Sequence, residues 1–458
     1  MHITPDNTGL WGITQTEEAA KKVSELLQED MEQHHVFFNE DGFHNHIPHH
    51  LLALYGTGAS PSSLQKGYDE NKSYQRPVLP LHPPSSLLIS HDQWPESAKP
   101  YFGKEEYYPD FLRFFQAEIS RLGSYQAVVS QYLFNDTSEE MMVRLFAGFL
   151  HPLIQLMYGL EWKQGAIVAE GLAQTAVHPD NLREFLLTTE GKGRSTGKML
   201  DLIEAVKGNE KLAKAARNED GNKIRDGVFR RAKGEMVELA SRVNLQEEVR
   251  DQEGLEKRTA EMFDAAVYVA AAAALVMEGQ GKVPKFDFFL MHHVNSAPIF
   301  VTINKQDWIP LATKVRLLEW KVRMDLLQYA ARGAPTLDFD RLSNYYPQKP
   351  ELGGTLDEIV ARVHNLPDDG HAIKLGRAAV ICRNICQRYK GDNDAFKIQG
   401  DEMWKKIVHL IVDSVEAPGE RWVRSAGFEE AWKDVPNKKD IKPDNKSAKS
   451  GGALSYET

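Results

Sequence analysis

The sequence is poor in cysteine. Its 458 residues contain two, Cys382 and Cys386, four positions apart. So close a pair in so long a chain excludes a disulfide framework and indicates a reducing compartment, so we predict a cytoplasmic protein. The spacing is not CxxC, and no second pair exists to complete a zinc site. At helical spacing, the two thiols are predicted to be buried packing residues.

Long uncharged hydrophobic runs are also missing. The most apolar segment, AAVYVAAAAALVM at 265–277, is shorter than the roughly 18 residues of a membrane span, so it predicts a buried helix. The first twenty positions have neither the basic nor the apolar region of a secretory signal. A net charge of −10 without a basic stripe argues against binding to nucleic acid or to an anionic membrane. We therefore predict neither kind of partner.

The common nucleotide and hydrolase motifs are absent as well. The segment GKGRSTGK at 191–198 lacks the Walker spacing and is followed by Met199 instead of a hydroxyl residue, so it predicts a solvated loop. No GxGxxG follows a predicted strand, and neither GxSxG nor HExxH occurs. A classical dinucleotide fold and the serine-hydrolase and zinc-protease classes are unsupported.

Helical periodicity covers most of the chain, and strand alternation is almost absent. We predict an all-α fold: one large helical catalytic domain at 1–432 with kinked helices and long irregular insertions, then a flexible polar tail at 433–458. The Pro/Ser-rich stretch 61–99 is predicted to be one such insertion. Predicted helices include 16–35, 110–134, 138–162, 166–189, 255–277, 308–332 and 371–389.

Histidines occur at unusual positions, inside largely apolar segments. Four apolar segments carry them: FHNHIPHH at 43–50, GFLHPLIQLMYGLEW at 148–162, FFLMHHVNSAPIF at 288–300 and DDGHAIKLGRA at 368–378. Prolines 48, 152 and 298 are predicted to kink helices beside three of them. Any one of these histidines is readily explained as a hydrogen-bonded core residue. Four such places together favour a buried functional site.

Two helix faces add to this hypothesis. His151, Gln155, Tyr158 and Trp162 share one face at about 100° per residue, which fits either a substrate pocket or an ordinary amphipathic stripe. His371 and Lys374 project together from a face that continues into the two cysteines. A lysine buried there must be paired, neutral or modified, unless its stem reaches the surface.

These segments, together with AEGLAQTAVH at 169–178, resemble the questin oxidase family from about 42 to 377. The resemblance implies an oxygenase that uses O2 to open the central ring of an anthraquinone, a fungal polyketide, giving a benzophenone carboxylic acid. It also implies non-haem Fe2+ as cofactor. Gln155 departs from the family, in which a second histidine is frequent there, and this puts a ligand role for that position in doubt.

The resemblance also implies a ligand set. The implied metal ligands are His46, His151, His292, His371 and a carboxylated Lys374, which is also the catalytic residue. His49 and His50 are alternatives to His46, and His293 is an alternative to His292. Glu161 and Glu170 are predicted to orient ligating imidazoles, or else to be exposed helix glutamates.

Two other functions remain open at this stage. Older descriptions of the family imply a Baeyer–Villiger oxidation that consumes NADPH and needs no metal, and NADPH is also possible as a reductant for the iron enzyme. A helical binding protein in which the histidines merely pack is the alternative from another class. The absence of a flavin or nicotinamide fingerprint beside abundant histidine favours the iron oxygenase.

Overall fold

The structure is a computed structural model that describes residues 1–83, 89–135, 138–191, 196–392 and 394–441. Over these residues the chain is built of α-helices, short 3-10 turns and one π-helical segment, with β-structure confined to isolated bridges. The predicted all-α class is confirmed. Half of the predicted 191–198 loop, positions 192–195, and the predicted tail beyond 441 lie outside the described residues.

The α-helices are α1 (Glu17–Gln33), α2 (Ile47–Gly56), α3 (Pro61–Lys72), α4 (Tyr108–Leu122), α5 (Tyr125–Tyr132), α6 (Glu139–Leu145), α7 (His151–Glu161), α8 (Gly165–Val177), α9 (Arg183–Thr188), α10 (Met199–Gly208), α11 (Glu210–Ala213), α12 (Arg230–Ala240), α13 (Gln252–Ala273), α14 (Phe288–Asn295), α15 (Ile299–Asn304), α16 (Leu311–Ala331), α17 (Phe339–Ser343), α18 (Leu356–Ala361), α19 (His371–Cys386) and α20 (Gly400–Glu416).

The chain divides into two compact units, each assembled from several segments. The first unit holds 1–184, 298–313 and 364–374, and the second holds 185–297, 314–363 and the chain from 375 onward. The first nine positions of the predicted tail are described: Val435 is buried, and Lys282 Nζ donates to its carbonyl at 2.6 Å. The single catalytic domain at 1–432 stays a prediction.

The core of the first unit is the crossing of α7 and α8. Both helices are buried along almost their whole length. They approach so closely because each presents a glycine to the other: a Cβ on Gly171 would lie 2.8 Å from the backbone nitrogen of Leu156, and one on Gly159 would lie 2.6 Å from that of Val168. This crossing fixes α7, whose first residue is His151.

The predicted proline kinks are wrong, because all three prolines lie at the start of a helix. Pro48 and Pro152 occupy the first turns of α2 and α7, and Pro298 precedes α15. A proline in the first turn loses no hydrogen bond, since that N–H would have no partner inside the helix. The predicted helix 138–162 is accordingly two helices, α6 and α7, bent by 72°.

Part of the predicted irregular insertion is helical. Pro61–Lys72 forms α3, with Ser60 Oγ accepting from the backbone N–H of Ser63 at 3.2 Å. The Ser-Pro start is a normal helix beginning, which the overall Pro/Ser content of 61–99 concealed.

In the second unit, α13 carries the most apolar segment of the chain. The helical stretch Gln252–Gln280 is long and apolar enough to cross a membrane by length and composition, but 94% of its apolar window is buried inside the unit. It is a core helix, as predicted. Cys382 and Cys386 are free and buried, which confirms their packing role. Burial raises the pKa of both thiols and keeps them unreactive.

Candidate metal centre

Three of the predicted ligands come together in the first unit, each at the start of a helix. His46 caps α2, His151 is the first residue of α7, and His371 is the first residue of α19. One ring nitrogen from each lies within 4.8 Å of the other two, and all three side chains are buried. Residues separated by hundreds of positions thus form one group of convergent imidazoles.

The outward nitrogen of each imidazole donates to an oxygen. Asp369 accepts from His371 Nδ1 at 2.5 Å and from His46 Nδ1 at 3.3 Å, and the Gly148 carbonyl accepts from His151 Nδ1 at 2.7 Å. An imidazole that donates from Nδ1 has its lone pair on Nε2 when neutral. Metal-binding histidines are held in this way, with the second nitrogen on a carboxylate or a carbonyl.

The inward nitrogens make the strongest case for a metal. His46 Nε2 and His151 Nε2 are 2.9 Å apart, although each should carry a lone pair. Protonating His46 would relieve the contact, but burial, followed by the charge of Lys374, holds the pKa of His46 well below its usual range. Two nitrogens bound at roughly 2.1 Å to one ion, at right angles, lie about 3.0 Å apart. The donor set therefore fits a metal ion.

A second pair of histidines serves as an internal comparison. His44 Nε2 and His178 Nε2 are 2.8 Å apart, and His178 Nδ1 donates to the Gln174 carbonyl at 2.7 Å. Among the residues that the structure describes, no such acceptor holds a proton on His44 Nδ1, so His44 can donate from Nε2 to the His178 lone pair. This pair is an ordinary hydrogen bond, whereas the His46–His151 pair is not.

The turn before His151 places the Gly148 carbonyl against the His151 imidazole. Gly148, Phe149 and Leu150 all have positive φ, at 53°, 54° and 67°, a conformation that costs a non-glycine residue roughly 1–3 kcal/mol. A Cβ on Gly148 would lie 2.4 Å from His178 Nε2, so only glycine fits. Such strain persists where the surroundings impose it, typically at functional sites.

Lys374 lies one turn after His371 and is buried. Its Nζ makes no hydrogen bond or ion pair within the described parts of the chain. Burial is the main cause that lowers the pKa of both His46 and His49, and the charge of Lys374 is the second. Burial lowers the pKa of Lys374 itself to about 8, against the opposing charges of Asp369 and Asp368. About a tenth of such an amine is neutral at pH 7, hundreds of times more than for an ordinary lysine. The catalytic role of Lys374 stays a prediction.

Gln155 faces another histidine. Its Oε1 accepts a short hydrogen bond from His49 Nε2, and its Nε2 donates to Glu170 Oε2 at 2.9 Å. Tyr158 stacks on the His49 ring at 5.1 Å and on Trp162 at 5.2 Å. The predicted pocket face of α7 is thus a buried row that holds His49, and its role as a substrate pocket stays a prediction.

The orienting carboxylates differ from those predicted. Glu161 is buried and its Oε1 accepts from the Leu10 backbone at 2.6 Å, so it is not an exposed helix glutamate, and its predicted role on an imidazole stays a prediction. Glu170 acts on His49 through Gln155. Asp369, which holds two imidazoles, was missed, although a carboxylate two residues before a histidine at a helix start was a usable signal.

The remaining predicted histidines lie elsewhere. His50 packs toward α3, where a Cβ on Gly67 would lie 3.2 Å from its ring. His292 and His293 belong to α14 of the second unit: His292 Nδ1 contacts the Phe288 carbonyl at 2.5 Å, and His293 Nδ1 contacts Asp325. The convergent group comprises His46, His151 and His371, and the ligand role of His292 stays a prediction.

Replacing Asp369 by asparagine should weaken metal binding about 10- to 100-fold, as is usual for a partner of ligating histidines. The amide is neutral and offers one acceptor oxygen where the carboxylate serves two imidazoles. Titration of the metal-free protein with Fe2+ under anaerobic conditions measures the change. Asp368→Asn is the matched control, because Asp368 accepts from the Ala372 backbone N–H at 2.7 Å and asparagine can do the same. Equal affinities in the two variants would contradict the assignment.

Glu170→Gln should stabilise the protein, and more so as pH rises. Burial, then the charge of Asp30, raises the pKa of Glu170 to about 8. Because the folded state holds this proton more tightly than the unfolded state, stability falls as pH rises between the unfolded value and 8. The glutamine cannot ionise, so its advantage should grow by on the order of 2 kcal/mol between pH 5 and pH 7. Denaturant unfolding of the wild type and the variant at several pH values measures this advantage. A difference in unfolding free energy that does not change with pH would refute the raised pKa of Glu170.

Comparison with known proteins gives a consistent result. The family model described as questin oxidase-like matches residues 43–379. The oxidoreductase AflY of Aspergillus parasiticus is 35% identical over 93% of this chain and 90% of its own length. A questin oxidase of Aspergillus fumigatus is 35% identical over 92% of this chain and 95% of its own. The Baeyer-Villiger oxidase mdpL of Emericella nidulans is 35% identical over 89% and 92%.

Proposed function

Because the chain belongs to the questin oxidase-like family, we propose that it is an oxidoreductase that opens the central ring of an anthraquinone with O2 at a non-haem iron. The relative named questin oxidase supports the substrate class. One observation supports a metal most strongly. His46 Nε2 and His151 Nε2 approach to 2.9 Å, although the Nδ1 atom of each ring is held by an acceptor.

Lys374 is proposed to complete the donor set. Its neutral amine attacks CO2, an N–C bond forms, one proton leaves, and the resulting carbamate offers an anionic oxygen. That proton passes to solvent or buffer, because burial and the charge of Lys374 hold the pKa of His49 well below its usual range. Three imidazoles and one carboxylate-like oxygen are a donor set suited to Fe2+. The nearby starts of three helices also favour a negative group over an ammonium.

Bound iron would supply the activation of O2. The chain would supply fixed imidazoles, a buried and water-poor site, and the aromatic residues Tyr158 and Trp162 as a flat wall. The bond broken lies beside a ring carbonyl, and the product is a benzophenone that carries a carboxyl group on one ring and a new hydroxyl on the ring carbon that lost the bond. A reduced anthraquinone and O2 together contain all the atoms of that product, so both oxygen atoms should be retained. NADPH would then be needed only to reduce the quinone.

The test combines metal analysis with isotopic labelling. Purified protein should contain near-stoichiometric iron, and turnover of reduced questin under heavy-oxygen O2 should place two labelled atoms in the product. Mass spectrometry counts them. Active protein without iron would overturn the metal proposal.

The names of several relatives favour a second candidate, a Baeyer–Villiger oxidation. That reaction inserts one atom from O2 and takes the second from the water that opens the lactone. One labelled atom and continuous NADPH consumption would therefore select it. Absence of turnover with any anthraquinone would instead favour the helical binding protein.

A further inference from the structure

Arg332, just after α16 in the second unit, is a buried cation without a counter-ion. Its residue is 3% exposed, and it forms no ion pair with any residue that the structure describes. The guanidinium carbon lies 4.0 Å from the centroid of the Phe289 ring. Nη1 donates to Ser425 Oγ at 3.1 Å, whereas Nε is buried without an acceptor and Nη2 donates to no described atom. An arginine is almost never fully buried unless it is paired.

The carboxylate that acts on Arg332, that of Asp287, is already engaged. Its Oδ1 accepts from the backbone N–H groups of Phe289 at 2.8 Å and Leu290 at 3.0 Å. Its Oδ2 accepts from the Ala426 N–H at 2.6 Å. Burial lowers the pKa of Arg332 to about 10, and the charge of Asp287 opposes this. Arg332 is therefore a cation at neutral pH and has donors left for another anion.

The loop that holds Nη1 of Arg332 is strained. Ser425, which accepts from this nitrogen, has a φ of 77°, a conformation that a non-glycine residue keeps only where its surroundings impose it, typically at ligand clamps and other functional sites. The loop is also packed tightly on the end of α16. The Gly427 N–H donates to the Arg332 carbonyl at 2.9 Å, and a Cβ on Gly427 would lie 2.5 Å from that oxygen.

A second cation, Lys223, lies near this arginine. Its ammonium is 5.9 Å from the centroid of the Phe428 ring, and that ring packs on Gly333, where a Cβ would lie 3.0 Å from Cζ. Gly333 follows Arg332 directly, and after burial the charge of Arg332 is the next cause that lowers the pKa of Lys223. The ammonium donates to two backbone carbonyls, at 3.1 and 3.2 Å, which leave its charge unpaired. Lys223 and Phe428 are half-buried, so solvent reaches this side of the cluster.

We infer that Arg332 and Lys223 together bind a phosphate group. A phosphate carries close to two negative charges at neutral pH, which matches two cations that lack a counter-ion. The planar guanidinium offers parallel N–H donors to phosphate oxygens, and the ammonium adds a point charge. Two sources share this chemistry, the 2′-phosphate of NADPH and free phosphate. The binding needs neither metal nor turnover, so it goes beyond the proposed function.

The first test compares NADP+ with NAD+, which lacks the 2′-phosphate, by titration calorimetry of the full-length protein at low ionic strength. NADP+ should bind at least about tenfold more tightly, the worth of one hydrogen bond to a charged group. Arg332→Gln should lose this preference, and Lys223→Gln should keep only part of it. Arg316→Gln is the matched control, because Arg316 lies in α16 and stacks on Trp320 at 4.7 Å, but its charge is paired with Glu190 at 2.6 Å.

Inorganic phosphate distinguishes the two sources. At an ionic strength matched with chloride, phosphate should raise the Tm of the wild type but not that of Arg332→Gln. It should also raise the Tm of His151→Ala, which excludes phosphate bound at the proposed metal centre. A phosphate effect without any preference for NADP+ would identify free phosphate as the ligand, and a preference for NADP+ that phosphate abolishes by competition would identify the nucleotide.

The inference is overturned if the wild type responds neither to phosphate nor to the 2′-phosphate of NADP+, or if these responses persist unchanged in Arg332→Gln. A neutral amide in place of an unpaired buried charge should not impair folding. If Arg332→Gln nevertheless fails to fold, Lys223→Gln provides the same comparison, because Lys223 is half-buried and bonds only to backbone carbonyls. Responses that are unchanged in Lys223→Gln would then contradict the site.

Discussion

Replacing His151 by alanine is expected to remove the metal and to lower turnover at least about a thousandfold, a change of roughly 4 kcal/mol in the barrier. His151 Nε2 approaches His46 Nε2 at 2.9 Å, and the Gly148 carbonyl of the positive-φ turn accepts from His151 Nδ1 at 2.7 Å. Losing it removes one of the four proposed donors, and the two imidazoles and the carbamate that are left should hold the ion much more weakly. Metal content after gel filtration and the initial rate of oxygen uptake measure the two effects.

Thermal unfolding separates loss of a ligand from damage to the core. A metal present at a thousand times its dissociation constant stabilises the folded protein by about 4 kcal/mol, so a chelator should lower the Tm of the wild type. It should not shift the Tm of His151→Ala. His35→Ala is the matched control: His35 is equally buried but lies outside the convergent group. If both variants keep a chelator-sensitive Tm, the assignment of His151 fails.

The helical class was predictable because apolar residues repeat about every 3.6 positions within short segments of the chain. The start of α1 is an example: Thr16 precedes two acidic residues, and in the structure Thr16 Oγ1 accepts from the Ala19 N–H at 3.1 Å. The breaks between helices were less predictable. The bend before α7 depends on three successive positive φ values. Phe149 and Leu150 are residue types that do not predict that conformation.

The resemblance to the family implied His46, His151, His292, His371 and Lys374 as ligands, and the structure brings three of these imidazoles together, those of His46, His151 and His371. The geometry of the group was less predictable. Which of His46, His49 and His50 points inward depends on the direction of α2 relative to α7, and periodicity does not contain this information. Gln155 shows the same limit, since its partners His49 and Glu170 come from two other helices.

Lys374→Ala is expected to abolish turnover and to recover part of it when a short carboxylate such as propionate is added. The truncation leaves a space where the proposed carbamate would lie, and a free carboxylate can supply the missing anionic oxygen. The recovery should saturate with propionate concentration, because it reflects occupancy of a site. Lys374→Met fills the same space without an amine, so it should be inactive and should not respond to propionate. Oxygen uptake with reduced questin measures both variants.

The wild type offers an independent readout of the same chemistry. After removal of CO2, reactivation at a fixed concentration of dissolved CO2 requires the neutral amine. Since the pKa of Lys374 is about 8, the neutral fraction and hence the reactivation rate should rise about tenfold per pH unit below that value and level off above it. With labelled CO2, carbon NMR should show one carbamate signal that is missing from Lys374→Met. The proposal fails if the wild type stays fully active without CO2 and if propionate does not restore activity to Lys374→Ala. Lys374 would then be a buried cation and not a ligand.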